Sequence, residues 1–212
     1  MKKILLTMSV VLSSAVFAQE SGNGFFNRLS NVDFGVRASG LLSTTTFNEF
    51  EDVTDLEEYG ANVGIAAKIN VSDRLFVTPE LYYFYSGLSE LNMPVLFGYT
   101  IINDKLDIIA GPNLMYTFAK SGNKQVTNLG IPAWDTNFVY RGIESTFEVG
   151  YMAGLQYHFG KFMVTGRYQG GFTGKEILFT YQNPQTGLIE KGSDKLKTSY
   201  VSLGVGFNFG GK

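Results

Sequence analysis

From Phe147 to His158 the chain alternates without a break: Phe147, Val149, Tyr151, Ala153, Leu155 and Tyr157 are apolar, and Glu148, Gly150, Met152, Gly154, Gln156 and His158 fall between them. A two-residue repeat places successive side chains on opposite faces of a β-strand. Val201, Leu203, Val205, Phe207 and Phe209 repeat it against Ser202, Gly204, Gly206 and Asn208. After the N-terminal leader no apolar run reaches the roughly 18 residues of a helical span. The chain must therefore build a sheet in water or cross a membrane with strands.

Read in the same way, the sequence predicts eight strands, over residues 32–42, 60–71, 75–86, 90–102, 106–118, 145–158, 162–173 and 198–209. Each reaches the about 9–11 residues with which a tilted strand spans a bilayer. Ser72-Asp73, Asn103-Asp104-Lys105 and Phe159-Gly160-Lys161 read as tight turns, whereas 43–59, 119–144 and 174–197 read as long polar loops. Gly87-Leu88-Ser89 is a short connection at the loop end. Turns at one end and loops at the other describe an all-β, transmembrane, antiparallel up-and-down barrel. Within the last loop, residues 175–192 alternate around Asn183-Pro184-Gln185-Thr186-Gly187. That segment reads as a hairpin lengthening the final two strands, or as two further strands.

Composition bears on what surrounds the barrel. Charged residues are 17% and glycine numbers 25 of 212, against about 25% charged and about 7% glycine in ordinary soluble domains. A soluble lipocalin-like barrel is the rival, but its outer face would be rich in Lys and Glu. Here the face opposite the apolar one carries Gly, Ser, Thr, Asn and Gln with isolated charges, which favours lipid outside. Aromatics gather toward both strand ends, at Tyr83, Tyr85, Tyr116 and Phe147 and at Tyr99, Tyr157, Phe162 and Phe207, as interfacial girdles would.

Residues 1–18 have the form of a secretory signal: Lys2 and Lys3, an apolar run from Ile4 to Val16, and Val16-Phe17-Ala18 ahead of a cleavage after Ala18. The domain plan is then a signal peptide over 1–18, a short periplasmic segment over 19–31, a barrel in the outer membrane over 32–209 and a tail over 210–212. Loss of Lys2 and Lys3 makes the mature chain more acidic than the −2 of the whole; no basic patch is left for nucleic acid. Cysteine is absent, which removes disulfides and a lipid-anchored N-terminus. Outer-membrane lipid and lipopolysaccharide are the expected surroundings.

Pro79-Glu80-Leu81 followed by Tyr83, Met93-Pro94 ahead of an apolar strand, Gly111-Pro112, and Arg167-Tyr168 occur in order between Asp33 and Phe209. This series resembles the successive strand signatures of the PorT-like outer-membrane β-barrel family. Membership implies an outer-membrane protein of the porin-family type; the founding member's link to type IX protein secretion is not carried over. Ser202, Gly204, Phe207 and Phe209 also resemble the C-terminal signal read by the barrel assembly machinery, although Gly210-Gly211-Lys212 follow the last aromatic.

By the alternation, Arg37, Lys68, Glu80, Glu148 and Arg167 point inward. Arg37, Glu80 and Arg167 share a level, and Glu80 and Arg167 lie on opposite strands of the barrel. Buried charges must be paired, so the cluster reads as a plug or as a gate selecting small solutes. Catalysis is not expected. The single histidine, His158, stands at the turn end, and Glu57-Glu58 fall in a polar loop. One histidine and no cysteine leave no transition-metal cluster, and no cofactor is expected. Trp134, Phe138 and Tyr140 in the third loop, with Phe179 and Tyr181 in the fourth, are candidates for recognising an envelope partner or for packing on one another. The acidic first loop, with Glu49, Glu51, Asp52, Asp55, Glu57 and Glu58, reads as solvated or as bridging lipopolysaccharide through divalent ions.

Overall fold

The computed structural model describes residues 32–47, 56–102, 105–125, 139–144, 146–182 and 186–209. The proposed signal peptide and periplasmic segment, most of the acidic loop, Trp134, Phe138 and the tail lie outside them. Eleven strands follow in chain order: β1 Val32–Phe47, β2 Leu56–Asn70, β3 Leu75–Ser86, β4 Leu88–Ile102, β5 Leu106–Thr117, β6 Lys120–Gln125, β7 Val139–Ile143, β8 Thr146–Phe159, β9 Phe162–Gly171, β10 Lys175–Gln182 and β11 Ile189–Asn208.

Eight of them form the wall. The order β1-β2-β3-β4-β5-β8-β9-β11 is antiparallel throughout, and β11 returns to β1 from Gly35↔Asn208 to Phe47↔Leu196, which closes the barrel. Closure leaves no unpaired edge in the membrane, where a bare N–H or C=O costs several kcal/mol. Burial along β3 alternates residue by residue, with Phe76, Thr78, Glu80, Tyr82 and Phe84 inside. Outside, Phe97, Val149, Leu155, Val201, Leu203 and Val205 are between 50% and 69% exposed. An apolar skin around a polar filling reverses the polarity of a water-soluble barrel, and the molecule is a transmembrane β-barrel. Rings pack at both rims: Tyr116 on Phe147 at 4.7 Å toward the loops, and Phe162 on Phe207 at 5.0 Å toward the turns.

The loop end departs from the sequence-based expectation in two places and, in a third, takes the hairpin form that the sequence offers. Residues 43–47 and 56–59 are not loop; Ser43↔Glu58, Thr44↔Glu57 and Thr45↔Leu56 extend the first hairpin. Ser43-Thr44-Thr45-Thr46 is polar but largely β-branched, and β-branched residues fit a pleated strand whatever their polarity. Glu57 and Glu58 are consequently exposed strand residues of β2. In the third expected loop, β6 and β7 pair with each other, and β7 pairs with β10. The fourth resolves as the hairpin β10–β11, with Gln182 opposite Ile189 and Gly187 at φ 69° in its turn. Since β6 follows β5, β7 leads into β8 and β10 follows β9, three staves continue past short breaks. Together with upper β11 they raise a four-stranded wall on one side of the rim.

Lumen residues are larger than a narrow barrel filled mainly with glycine would hold. Phe76, Tyr82, Phe84, Leu96, Met115, Met152 and Tyr200 all point inward and are buried. Inward glycines are the floor under these side chains: a Cβ at Gly64 would strike the Tyr82 ring, and one at Gly98 the ring of Phe76.

Candidate functional site: three charged layers in the lumen

Inward polar side chains are stacked along the barrel axis. At the turn end Asp107, second residue of β5, accepts from Thr100 Oγ1 at 2.7 Å and Lys68 Nζ at 3.0 Å, and lies 2.9 Å from His158 Nε2. The Lys68 ammonium also sits 3.8 Å from the centroid of the Phe76 ring, a cation–π contact. His158 thus turns into the lumen mouth to meet an acid. Its neighbour Thr100 donates to that same carboxylate and not to the imidazole.

The middle layer joins opposite walls. Arg167 on β9 grips Glu80 on β3 with both terminal nitrogens, Nη1 to Oε2 at 2.5 Å and Nη2 to Oε1 at 3.1 Å. Nη1 also donates to the Tyr82 hydroxyl at 2.8 Å, and Nε to Thr165 Oγ1 at 3.0 Å. The two charged side chains are 4% and 0% exposed. A planar guanidinium and a carboxylate make the strongest such pairing, two parallel charge-assisted bonds. Arg37 is engaged nearer the turns, with Asn208 Oδ1 at 2.7 Å and the carbonyls of Val36 and Phe207. A void of about 10 Å³, bordered by Ser39, Asn62, Phe84 and Met152, lies beside the fork; that is room for about one water.

Above the fork, Asn92 Oδ1 accepts from Asn113 Nδ2 at 2.9 Å and Gln169 Nε2 at 2.7 Å. A third charged layer caps this amide layer. Lys175, first residue of β10, places its ammonium on Glu90 Oε1, which also accepts from the Tyr200 hydroxyl at 2.7 Å. Glu148 Oε2 lies 4.0 Å from the same ammonium.

Of the five inward charges picked from the sequence, the structure brings Glu80 and Arg167 together, with Arg37 close by in sequence level but bonded elsewhere. Lys68 belongs to the turn-end layer and Glu148 to the loop-end layer, so a single five-residue cluster does not form. Asp107, Glu90 and Lys175 complete those layers. Their signal was available for two of them: Asp107 lies between Leu106 and Ile108, and Glu90 precedes Leu91 at the inward parity of β4. Ser202 and Gly204 face inward on β11, while Phe209 is 59% exposed beside the turns. Tyr140 lies on β7 opposite Phe179 of β10.

No family model matches the chain, and no curated protein matches it. Among solved structures it is similar to Neisserial surface protein A, with 12% identity over 83% of this chain and 97% of that one at a TM-score of 0.47. It is similar to the outer membrane protein OprG of Pseudomonas aeruginosa, with 11% identity over 84% and 95% at 0.45. A major outer membrane protein from Thermus thermophilus gives 11% identity over 84% and 99% at 0.47.

Proposed function

We propose that this chain is an integral outer-membrane barrel of the PorT-like, porin-family type whose lumen is closed, and that it acts without catalysis as a structural or secretion-associated component of the envelope. The carrying observation is the Glu80–Arg167 fork, which joins opposite walls through buried atoms. The secretory leader, the lipid-facing skin and the C-terminal Ser202, Gly204, Phe207 and Phe209 support export and delivery by the barrel assembly machinery. Among the described residues, the buried or ion-paired lumen side chains of Lys and Arg and those of Asp and Glu number four of each sign: Arg37, Lys68, Arg167 and Lys175 against Glu80, Glu90, Asp107 and Glu148. A neutral, interlocked filling suits a plug better than a selective constriction, which needs an excess of one sign.

Planar-bilayer recording tests this. Wild-type protein is expected to give no conductance steps; discrete steps from wild type that grow in Glu80→Gln would replace the plug with a gated pore. A second reading, surface recognition, is favoured by the four-stranded wall above the rim. The segment carrying Trp134 and Phe138 joins two of its strands, β6 and β7. Deleting residues 131–140 is then expected to abolish capture of an envelope partner while the barrel still folds.

A further inference from the structure

On its lipid-facing side the wall is not evenly clothed. Ala110 of β5 stands opposite Ala153 of β8, and Gly166 of β9 stands opposite Leu155 of β8. These small residues leave an apolar trough of about 490 Å³ across the three strands, banked toward the turns by Leu155 and toward the loops by Tyr168 and Val201. An added Cβ at Gly166 would meet nothing within 4 Å, so the hollow opens onto the membrane. Three rings climb from it toward the rim: Tyr151 packs on Tyr168 at 5.9 Å and on Phe172 at 5.2 Å, and lies across Gly170. Beside them β11 carries Val201, Ser199, Lys197 and Lys195 outward in succession, with Lys191 higher still.

Apolar hollow and charge thus follow one another in the order of an amphiphile. Lys197 stands four residues above Val201 on the same face, about 13 Å along the strand. Across the described strand pairs Lys197 faces Thr46 and Lys191 faces Thr180, while Lys195 faces Glu176. The outward positions of β11 from Ile189 to Phe209 hold no acid. A lysine at a membrane interface lays its stem on apolar surface and keeps its ammonium at the polar boundary, where it meets the head of whatever chain fills the trough below. A cationic row selects an anionic head. We propose that the trough and Lys197, with Lys195 beside it, form a site for one phosphorylated lipid of the outer leaflet. Its acyl chain lies on Ala110, Ala153 and Gly166, and its phosphate is held by the Lys197 ammonium beside the hydroxyls of Thr46 and Ser199. The proposal rests on the outer-membrane reading above and gives that lipid a place on the wall.

The full-length protein, folded in maltoside micelles, is titrated with diphosphoryl lipid A and read by native mass spectrometry. Wild type is expected to take up one lipid A saturably, and to bind lipid A stripped of both phosphates at least about fivefold more weakly, the worth of one lysine at an anionic surface. Lys197→Gln should weaken binding of lipid A by the same factor, about fivefold. Gly166→Phe, which fills the trough from its open side, should weaken it about tenfold or more, because the acyl chain loses the burial of several methylenes. Lys161→Gln, in an exposed turn at the other end of the wall, should keep wild-type affinity; a loss there equal to that of Lys197→Gln would make the attraction diffuse and overturn the site. The proposal also fails if wild type shows no saturable single uptake, if the stripped lipid binds equally well, or if either Lys197→Gln or Gly166→Phe binds like wild type. A barrel that folds in micelles and stays silent in planar bilayers keeps the closed-lumen reading through any of these failures, so the two are told apart. Should Gly166→Phe not fold, Ala110→Phe fills the trough from β5, and an unchanged affinity in it is the overturning result.

Discussion

The middle and loop-end layers of the lumen are built from the same materials, buried carboxylates and buried cations, and reach opposite degrees of completion. Around the fork, Glu80 uses both oxygens and Arg167 uses all three nitrogens. In the upper layer Lys175 and Tyr200 converge on one oxygen of Glu90, leaving its other oxygen and both of Glu148 without donors among the described residues. Geometry accounts for the difference. Arg presents a rigid fork that can bond two oxygens and a hydroxyl at once, whereas the Lys ammonium is a point charge. A compact cation between two carboxylates settles on one. The Glu80–Arg167 fork is completed by protein atoms alone, while the upper layer leaves three carboxylate oxygens without donors among the described residues.

The largest effect is expected where completion is greatest. Arg167→Met strands Glu80 in a sealed interior and should cost about 3–5 kcal/mol, the loss that follows breaking a buried pair from one side. The paired replacement Glu80→Met, Arg167→Met removes both charges and should fold with stability near or above wild type. Urea unfolding in micelles checks both; a double variant as weak as Arg167→Met alone would mean that the pair fixes the register of the wall. A double-mutant cycle then sharpens the contrast between layers. Coupling between positions 80 and 167 should approach the upper end of the about 0.5–3 kcal/mol seen for contacting residues. Between 148 and 175 it should stay below about 0.5 kcal/mol, since Lys175 is spent on Glu90.

A smaller effect probes how far the fork depends on its surroundings. Tyr82→Phe removes the hydroxyl that accepts from Arg167 at 2.8 Å and keeps the ring against Phe84. About 1 kcal/mol is expected. A loss as large as that of Arg167→Met would make the hydroxyl, and not the carboxylate, the principal partner of the guanidinium.

Much of this was legible in the alternation, and the rest failed for identifiable reasons. Parity of two is robust, so the faces of Glu80, Arg167, Glu148 and Lys68 could be read directly. Height is not given by parity. Strands in a barrel tilt and stagger, so residues equally distant from their own turns end at different levels, and Glu148 stands with Glu90 above the amide layer. Lys175 was hidden for another reason: β9 breaks at 172–174, and the pattern restarts in a stretch that reads as loop. The threonines at 44–46 hide an extension of β1 because their polarity resembles that of a loop while their β-branched shape suits a strand. Asp107 and Glu90 needed no structure at all, only the parity already applied to their neighbours. The PorT-like resemblance rests on its motifs, since no family model matches the chain.

The turn-end layer supplies the mildest test and closes the comparison. Asp107 there has three partners, Lys68, Thr100 and His158, and the Lys68 side chain is 19% exposed while that of Asp107 is 2% exposed. Removing one partner of a well-supplied acceptor differs from removing the only fork on a carboxylate. Water at the lumen mouth also screens what remains, and pairs of this kind contribute about 0–1 kcal/mol. Lys68→Met should therefore lower stability by less than about 1 kcal/mol, keep the Phe76 contact through its thioether and leave the conductance record silent. If it destabilised the barrel as strongly as Arg167→Met, depth in the lumen would not govern these layers, and the ranking from middle to mouth would have to be abandoned.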